Sequence, residues 1–278
     1  MTMLPRARRT TLALAFVLPA LALPAVALPG TASAQDFTWS GNVSRGNWVR
    51  TRNVNGGIVV AQGTGDQVRV TASKKAGPGG DTSIVRVTAV QAASGGDVLV
   101  CAIWDNHGTC DENGYRQGRR NESWGDGHSD RRNVSVEFRV ELPAGVRLDA
   151  SSVNGRIDIS GATSEVRAST VNGAITASST GGPVRANTVN GGIDVRMGTL
   201  SGTEELSYST VNGSVKVRLP ENVNADVELS TVNGSLETAF PLTMQGRMDR
   251  RHIRARLGNG GPRLRFSTVN GSVELLKN

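Results

Sequence analysis

The tripeptide Val-Asn-Gly occurs seven times in this chain, and no other feature limits the possible folds as strongly. Its valines stand at positions 54, 153, 171, 189, 211, 232 and 269. Consecutive copies are therefore separated by 99, 18, 18, 22, 21 and 37 residues. Self-similarity at a short, nearly fixed period is typical of repeat architectures, in which each unit is one small supersecondary element. The sequence predicts an array of such units.

The residues around each tripeptide alternate between apolar and polar side chains. Counted from the valine, positions −5, −3, +4 and +6 are mostly apolar, and the positions between them are mostly polar. In the copy at Val171 the apolar positions hold Val166, Ala168, Ile175 and Ala177. A period of two residues predicts two short strands that flank a fixed turn.

Two architectures fit this unit. In an antiparallel hairpin meander, Asn-Gly forms each two-residue turn, for which it is the strongest short sequence signal. In a β-solenoid, Val-Asn-Gly forms the corner of a rung of about 18–22 residues. Like residues of successive rungs then stack, so that the valines form an apolar column and the asparagines a hydrogen-bonded ladder. The uniform spacing favours the all-β solenoid, with corners at Asn55, Gly56, Asn154, Gly155, Asn172, Gly173, Asn190, Gly191, Asn212, Gly213, Asn233, Gly234, Asn270 and Gly271.

Two details of the repeat can be predicted further. At a corner, a positive φ would exclude a branched side chain, so Gly173→Val is expected to destabilise the fold. The separation of 37 residues between the last two copies is interpreted as two units. The middle unit would have lost its tripeptide in Gly258–Gly261.

Composition agrees with this fold and excludes several protein classes. Only 4% of the 278 residues are aromatic, so Val, Ile, Leu and Ala must build the core. The 34 glycines follow no three-residue period, which excludes collagen, and two cysteines are too few for a disulfide-built small fold. Residues 1–34 hold three Arg and no acids, so the remainder has 28 basic and 24 acidic residues. Its net charge of +4 gives no reason to expect a nucleic-acid partner.

Residues 1–34 are predicted to be a secretory signal peptide. Three arginines among the first nine residues precede an apolar run, Leu12–Leu28, and Ala32-Ser33-Ala34 forms a small-x-small cleavage site. No later stretch reaches 18 apolar residues, so no integral membrane segment is expected after cleavage. We therefore expect an exported protein, periplasmic, secreted or on the cell surface, with residues 35–278 as a single β-solenoid domain.

Four segments carry a resemblance to a known family. They are Phe37–Gly41, Leu142–Val146, Gly260–Gly271 and the repeated Ser-Thr-Val-Asn-Gly-Ser. Together they resemble the bacterial β-strand-repeat proteins of the domain of unknown function 4097, a family of candidate adhesins. The resemblance covers nearly all of residues 35–278 and implies a β-helix-like solenoid in the bacterial envelope. It implies no catalytic residues.

Residues 61–142 interrupt the repeat and include a loop at about 101–133 that is rich in Gly, Asn and Arg. Loops of this length are usually functional or disordered. Cys101 and Cys110 bracket its start, and in an oxidising compartment they are predicted to form a disulfide. Reduced thiols and a zinc site are the weaker alternatives.

The same loop concentrates aromatic, histidine and arginine side chains. Exposed aromatics and arginines can stack on a sugar or grip a partner protein. The predicted ligand-contact residues are Trp104, His107, Tyr115, Arg119, Arg120, Trp124 and His128. The alternative is that Trp104 packs against the flank of the solenoid.

No catalytic residue, metal ligand or cofactor is predicted. The sequence contains no serine nucleophile elbow, zinc-protease motif or phosphate-binding glycine loop. Asp158 and Asp194 occupy the same offset two repeats apart, with Thr176 between them. Two strand spacings would separate them by about 9–10 Å, near the upper end for the carboxylates of inverting glycosidases. Their outward offset instead indicates two solvated surface acids.

Three hypotheses for the function follow, in order of preference. The first is a non-enzymatic exported envelope protein that presents a repetitive β-solenoid surface for adhesion or structural binding. Its partner would be an unidentified protein or glycan of the cell envelope. The second is a periplasmic envelope-stress sensor or regulatory partner that uses the 101–133 loop as its contact. The third is a carbohydrate-active enzyme.

Overall fold

The computed structural model describes residues 37–92, 96–104, 108–111, 114–116, 133–200, 202–245 and 249–278. The regular structure of these residues consists of β-strands and one short 3-10 helix, Thr82–Ile84. The prediction of an all-β chain is therefore confirmed. No helix in the described ranges is long and apolar enough to cross a membrane. The predicted signal peptide, residues 1–34, lies outside the described residues.

Most strands belong to two large sheets. In spatial order, sheet I contains β1 (Phe37–Asn42), β4 (Gln67–Ala76), β9 (Val134–Leu142), β3 (Ile58–Gln62), β11 (Ile157–Ala162), β13 (Ile175–Ser179), β15 (Ile193–Met197), β17 (Val215–Leu219), β23 (Val273–Lys277) and β19 (Leu236–Thr238). Sheet II contains β20 (Thr243–Met244), β21 (His252–Leu257), β18 (Ala225–Asn233), β22 (Arg263–Asn270), β16 (Leu206–Ser209), β14 (Val184–Asn187), β12 (Val166–Ser169), β10 (Arg147–Ser151), β2 (Trp48–Arg52), β6 (Val98–Ile103) and β5 (Arg86–Gln91). A separate hairpin pairs β7 (Thr109–Asp111) with β8 (Gly114–Arg116).

Parallel pairing between successive repeats decides between the two predicted architectures. Each rung consists of one strand of sheet II, a Val-Asn-Gly corner and one strand of sheet I. Strands β10, β12 and β14 pair in parallel, and so do β11, β13 and β15. Residues of equal offset lie side by side, as Ile157, Ile175 and Ile193 do. The β-solenoid prediction is confirmed, and the antiparallel meander is wrong.

The core lies between the two sheets and is filled by the predicted offsets. Positions −5, −3, +4 and +6 are buried in every rung except at Leu236 and Thr238, which belong to the rung at one end. The large side chains Tyr208 and Phe266 stack with ring centroids 5.0 Å apart. The Tyr208 hydroxyl lies 3.5 Å from the Met197 sulfur, and its burial raises the pKa of Tyr208. Small aliphatic side chains fill most of the rest, as the scarcity of aromatics required.

The last two copies of the repeat are stacked in the reverse of their sequence order. Strand β22 lies between β16 and β18, and β23 lies between β17 and β19. The residues between the two copies do not form a degenerate rung. A rung would need a strand parallel to β18, whereas β21 pairs with β18 in antiparallel order and leads into β22. The predicted extra unit is therefore wrong, and Gly258–Gly261 connects β21 to β22.

The long interruption of the repeat forms a cap on the first rung. In sheet I, β9 pairs in parallel with β3, and β4 and β1 follow in antiparallel order. In sheet II, β6 pairs in parallel with β2, and β5 follows in antiparallel order. At the opposite end, β21 and β20 extend sheet II beyond β18, whereas β19 is the last strand of sheet I.

Glycine is required at each corner because the backbone of the neighbouring layer lies too close for a side chain. A Cβ added to Gly173 would lie 2.1 Å from the carbonyl oxygen of Gly155, and the equivalent distances at all seven corners are 1.9–2.1 Å. Gly173 is not in the left-handed region, so the predicted reason for its intolerance is wrong. Among the corners, Gly56 has a clearly left-handed φ of 116°. The close approach of successive corners excludes every side chain.

We predict that Gly173→Ala destabilises the protein by about 2–3 kcal/mol, because the new methyl group must displace the Gly155 backbone. The measurement is urea denaturation followed by circular dichroism. Gly65→Ala is the matched control, since a Cβ there meets no atom within 4 Å. The control should change the stability by less than about 0.5 kcal/mol. Equal stability of the two variants would contradict this account of the corner.

Candidate functional site

Six repeated valines form a line of exposed apolar side chains along the corner of the solenoid. Their exposed fractions are 38–50%, and the line, here called the valine ridge, contains Val153, Val171, Val189, Val211, Val269 and Val232 in spatial order. The other exposed large hydrophobic residue in the described part of the chain is Val59. The predicted apolar column therefore exists, but it lies on the surface rather than in the core.

A buried hydroxyl turns each valine outward. The residue before each ridge valine is a serine or threonine that is at most 6% exposed: Ser152, Thr170, Thr188, Thr210, Thr268 and Thr231. Its hydroxyl donates to the corner glycine carbonyl of the neighbouring rung over 2.8–3.1 Å. Successive residues of an extended chain point in opposite directions, so a buried threonine forces the next residue to face solvent. The recurrent Ser or Thr was the signal that could have revealed the exposed ridge.

An amide ladder runs beside the valine ridge. Each corner asparagine after Asn55 donates from Nδ2 to Oδ1 of the asparagine one rung earlier in the stack, over 2.7–2.9 Å. The ladder joins Asn55, Asn154, Asn172, Asn190, Asn212, Asn270 and Asn233, as predicted. An amide has two N–H donors and two acceptor sites on its oxygen, so each internal member keeps one of each for a ligand.

The strip around the ridge is uncharged in these six rungs except at Arg156, which follows the corner of Val153. Two residues before each valine stand Ser151, Ser169, Asn187, Ser209, Ser267 and Ser230. Charged side chains begin one position further out, where Arg167 and Arg185 form ion pairs with Glu165. At a strand spacing of about 4.8 Å, the ridge extends for about 24 Å. The corner thus presents a long strip that is neutral except at Arg156, with a line of valines repeated at a constant interval.

The two aligned aspartates lie on a different face, in sheet I. Asp158 and Asp194 flank Thr176 in adjacent parallel strands, as the shared offset predicted. The Asp158 carboxylate lies 2.6 Å from Arg156, and that of Asp194 lies 2.5 Å from Arg218. Each carboxylate is thus held in an ion pair at the surface. Within the described residues, no group of three or more His, Cys, Asp or Glu side chains could hold a metal ion.

The start of the 101–133 loop packs onto the cap. Cys101 and Cys110 form the predicted disulfide, with their Cα atoms 6.2 Å apart. Strand β6 is buried on both sides, because the β7–β8 hairpin places Cys110 and Tyr115 against its outer residues Leu99, Cys101 and Ile103.

The predicted ligand-contact residues do not form one described site. Trp104 is only 5% exposed and belongs to the main core, so its assignment as a surface contact is wrong. Tyr115 is half-buried against strand β6. The remaining predicted contacts lie outside the described residues: His107, Arg119, Arg120, Trp124 and His128. The valine ridge is therefore the most extensive candidate site that the structure describes.

The model of one protein family matches residues 66–276, which is most of the chain and nearly all of the solenoid. Its description is Toastrack, domain of unknown function 4097. The chain belongs to the Toastrack family. The resemblance that the repeat motifs suggested is thereby confirmed, and a search of the curated proteins finds no match.

Two solved structures are similar to this Toastrack protein over most of its length. A candidate cell adhesion protein from Clostridium sporogenes is 8% identical, covers 87% of this chain and 99% of its own, and gives a TM-score of 0.35. A candidate adhesin from Bacteroides fragilis is 12% identical, covers 87% of this chain and 96% of its own, and gives a TM-score of 0.26.

We predict that Asn172→Leu lowers the free energy of unfolding by about 1–2 kcal/mol, because it removes one ladder bond to Asn154 and one from Asn190. Asn233→Leu is the matched control, since Asn233 makes a single ladder bond, to Asn270. It should cost about half as much. Urea denaturation of both variants provides the comparison, and equal losses would show that the ladder does not set the stability of the corner.

Proposed function

We propose that this Toastrack protein is a non-enzymatic exported envelope protein that binds its partner through the repetitive corner of the solenoid. The binding is adhesin-like or structural. The observation that supports this proposal is the valine ridge, whose members are 38–50% exposed. An apolar strip of this length, bordered mostly by neutral polar residues, is the kind of surface that marks an interaction site.

Structural needs alone do not account for valine at these positions. A β-branched side chain favours the extended backbone, but threonine is also β-branched and has nearly the same shape. Its hydroxyl would avoid the free-energy cost of exposing the second methyl group of valine to water. The chain nevertheless places valine at every corner, while it places serine, threonine or asparagine freely at the neighbouring positions. Stacking buries part of each valine, and the exposed part is available to a partner.

The constant spacing of the ridge suits an extended partner. Each rung offers the same aliphatic side chain and the same amide, about 4.8 Å from the next. A polymer that contacts one rung weakly can contact several at once, and the linked contacts raise the overall affinity without any new chemistry. A protein or glycan of the cell envelope with an extended surface would meet this requirement.

We predict that the triple variant Val171→Thr, Val189→Thr and Val211→Thr binds isolated envelopes of the producing bacterium at least about tenfold more weakly than the wild type. Threonine keeps the β-branched shape, so the melting temperature should change little. The measurement is cosedimentation of purified residues 35–278 with the envelopes.

The control for this experiment is Val59→Thr, because Val59 is exposed in sheet I, away from the ridge. It should bind as the wild type does. Envelopes pretreated with protease or with periodate then distinguish a protein partner from a glycan. Full binding by the triple variant would exclude the ridge as the binding surface.

A further inference from the structure

The junctions between successive rungs are all built from the same groups. At the junction of the rungs of Val171 and Val189, Asn190 Nδ2 donates to Asn172 Oδ1. The backbone N–H groups of Gly173 and Ile175 donate to carbonyls of the later rung. The later glycine, Gly191, leaves room for the Gly173 carbonyl, which would lie 2.0 Å from a Cβ there. A rung therefore presents a fixed template to the one that follows it.

The last rung in the stack presents this template to solvent. Asn233 donates its Nδ2 to Asn270, and no hydrogen bond to its Oδ1 occurs within the described residues. By the same repeat geometry, the N–H groups of Gly234 and Leu236 point away from the stack, as does the Gly234 carbonyl. The segment Val232–Thr238 is here called the open edge.

Among the described strands, none pairs with the outer side of β19, and burial agrees with this. The sheet II half of this rung is covered, because β21 pairs with β18 and the Thr231 N–H donates to the Arg251 carbonyl. In the sheet I half, Leu236 is half-buried and Thr238 is exposed. The equivalent residues of an internal rung, Val215 and Val217, are fully buried. At this end of the stack, the core is thus covered on the side of sheet II and partly exposed on the side of sheet I.

Charge at the open edge indicates what residue would complete it. Lys216, Glu274 and Glu237 follow one another across adjacent strands of sheet I. Glu274 forms an ion pair of 2.9 Å with Lys216, whereas Glu237 has no cationic partner among the residues that the structure describes. Two like charges side by side destabilise a sheet, and a basic residue beyond Glu237 would relieve this repulsion.

We propose that the open edge binds an extended strand of another polypeptide, in parallel, as a further rung. The strand is recognised by its chemistry: an Asn-Gly step, then one variable residue, then an aliphatic, a basic and an aliphatic residue. Asparagine extends the amide ladder, glycine accommodates the Gly234 carbonyl, the aliphatic residues cover Leu236 and Thr238, and the basic residue pairs with Glu237. This site shares only Val232 with the valine ridge and does not depend on the proposed function.

The probe is a fluorescent peptide with the sequence of residues 211–219, Val-Asn-Gly-Ser-Val-Lys-Val-Arg-Leu, which forms such a rung within the chain itself. Fluorescence anisotropy with purified residues 35–278 should show saturable binding. The peptide with Gly213→Val should bind at least about tenfold more weakly, because its branched side chain would overlap the Gly234 carbonyl. Absence of binding by the first peptide, or equal binding by both, would overturn the proposal.

Exchanging the charges of Glu237 and the peptide lysine tests whether the peptide binds at the open edge. Glu237 is exposed and its carboxylate accepts from the nearby Ser235 hydroxyl, so Glu237→Lys should leave the fold intact, as circular dichroism would verify. The wild type should prefer the original peptide to the one with Lys216→Glu, and the Glu237→Lys protein should reverse this preference. An unchanged preference would overturn the proposal. The triple valine variant should bind the peptide as the wild type does, since loss there would place the peptide on the ridge.

Discussion

The close approach of successive corners is the constraint on which the rest of this structure depends. Except at Gly234, which ends the stack, the carbonyl oxygen of each corner glycine lies 1.9–2.1 Å from where a Cβ of the next corner would be. This approach is possible only for glycine, and it fixes the register of both strands that leave the corner. With the register fixed, each threonine hydroxyl reaches the neighbouring glycine carbonyl, each asparagine reaches the next amide, and each valine is left outside. The exposed valine ridge is thus a consequence of how the rungs fit together.

The sequence was sufficient to predict the fold because its alternation is visible in every copy, and like residues do pair across parallel strands. It did not show that the valine ridge is exposed, because Thr170 and Thr188 are polar residues of the kind expected at the surface, although both are buried. The hydrogen bond that makes such burial favourable joins two different rungs and cannot be seen in one. Trp104 was misassigned because the sequence places it at the start of the loop, whereas its side chain packs in the main core directly after β6.

The ridge and the open edge are two aspects of one repeating unit. Along the side of the stack, the unit offers valine and amide groups whose backbone is already satisfied. At the end of the stack, the same unit offers backbone groups, an amide oxygen and a carboxylate that the neighbouring rung would otherwise occupy. A ligand on the side gains affinity mainly from buried aliphatic surface, whereas a strand at the end gains it from directed hydrogen bonds. The two proposed surfaces would therefore select ligands of different chemistry although they are built from the same repeat.

The reversed order of the last two rungs changes which strands hold the stack together. In most solenoids the rungs follow one another in chain order, so terminal units can be removed while their neighbours keep their contacts. Here β22 and β23 are interior strands, and Asn278 donates from its backbone N–H to the Leu219 carbonyl and from its amide to the Met197 carbonyl. Loss of these two strands would separate the outermost rung from all the others. Residues 263–278 thus lock the outermost rung onto the stack.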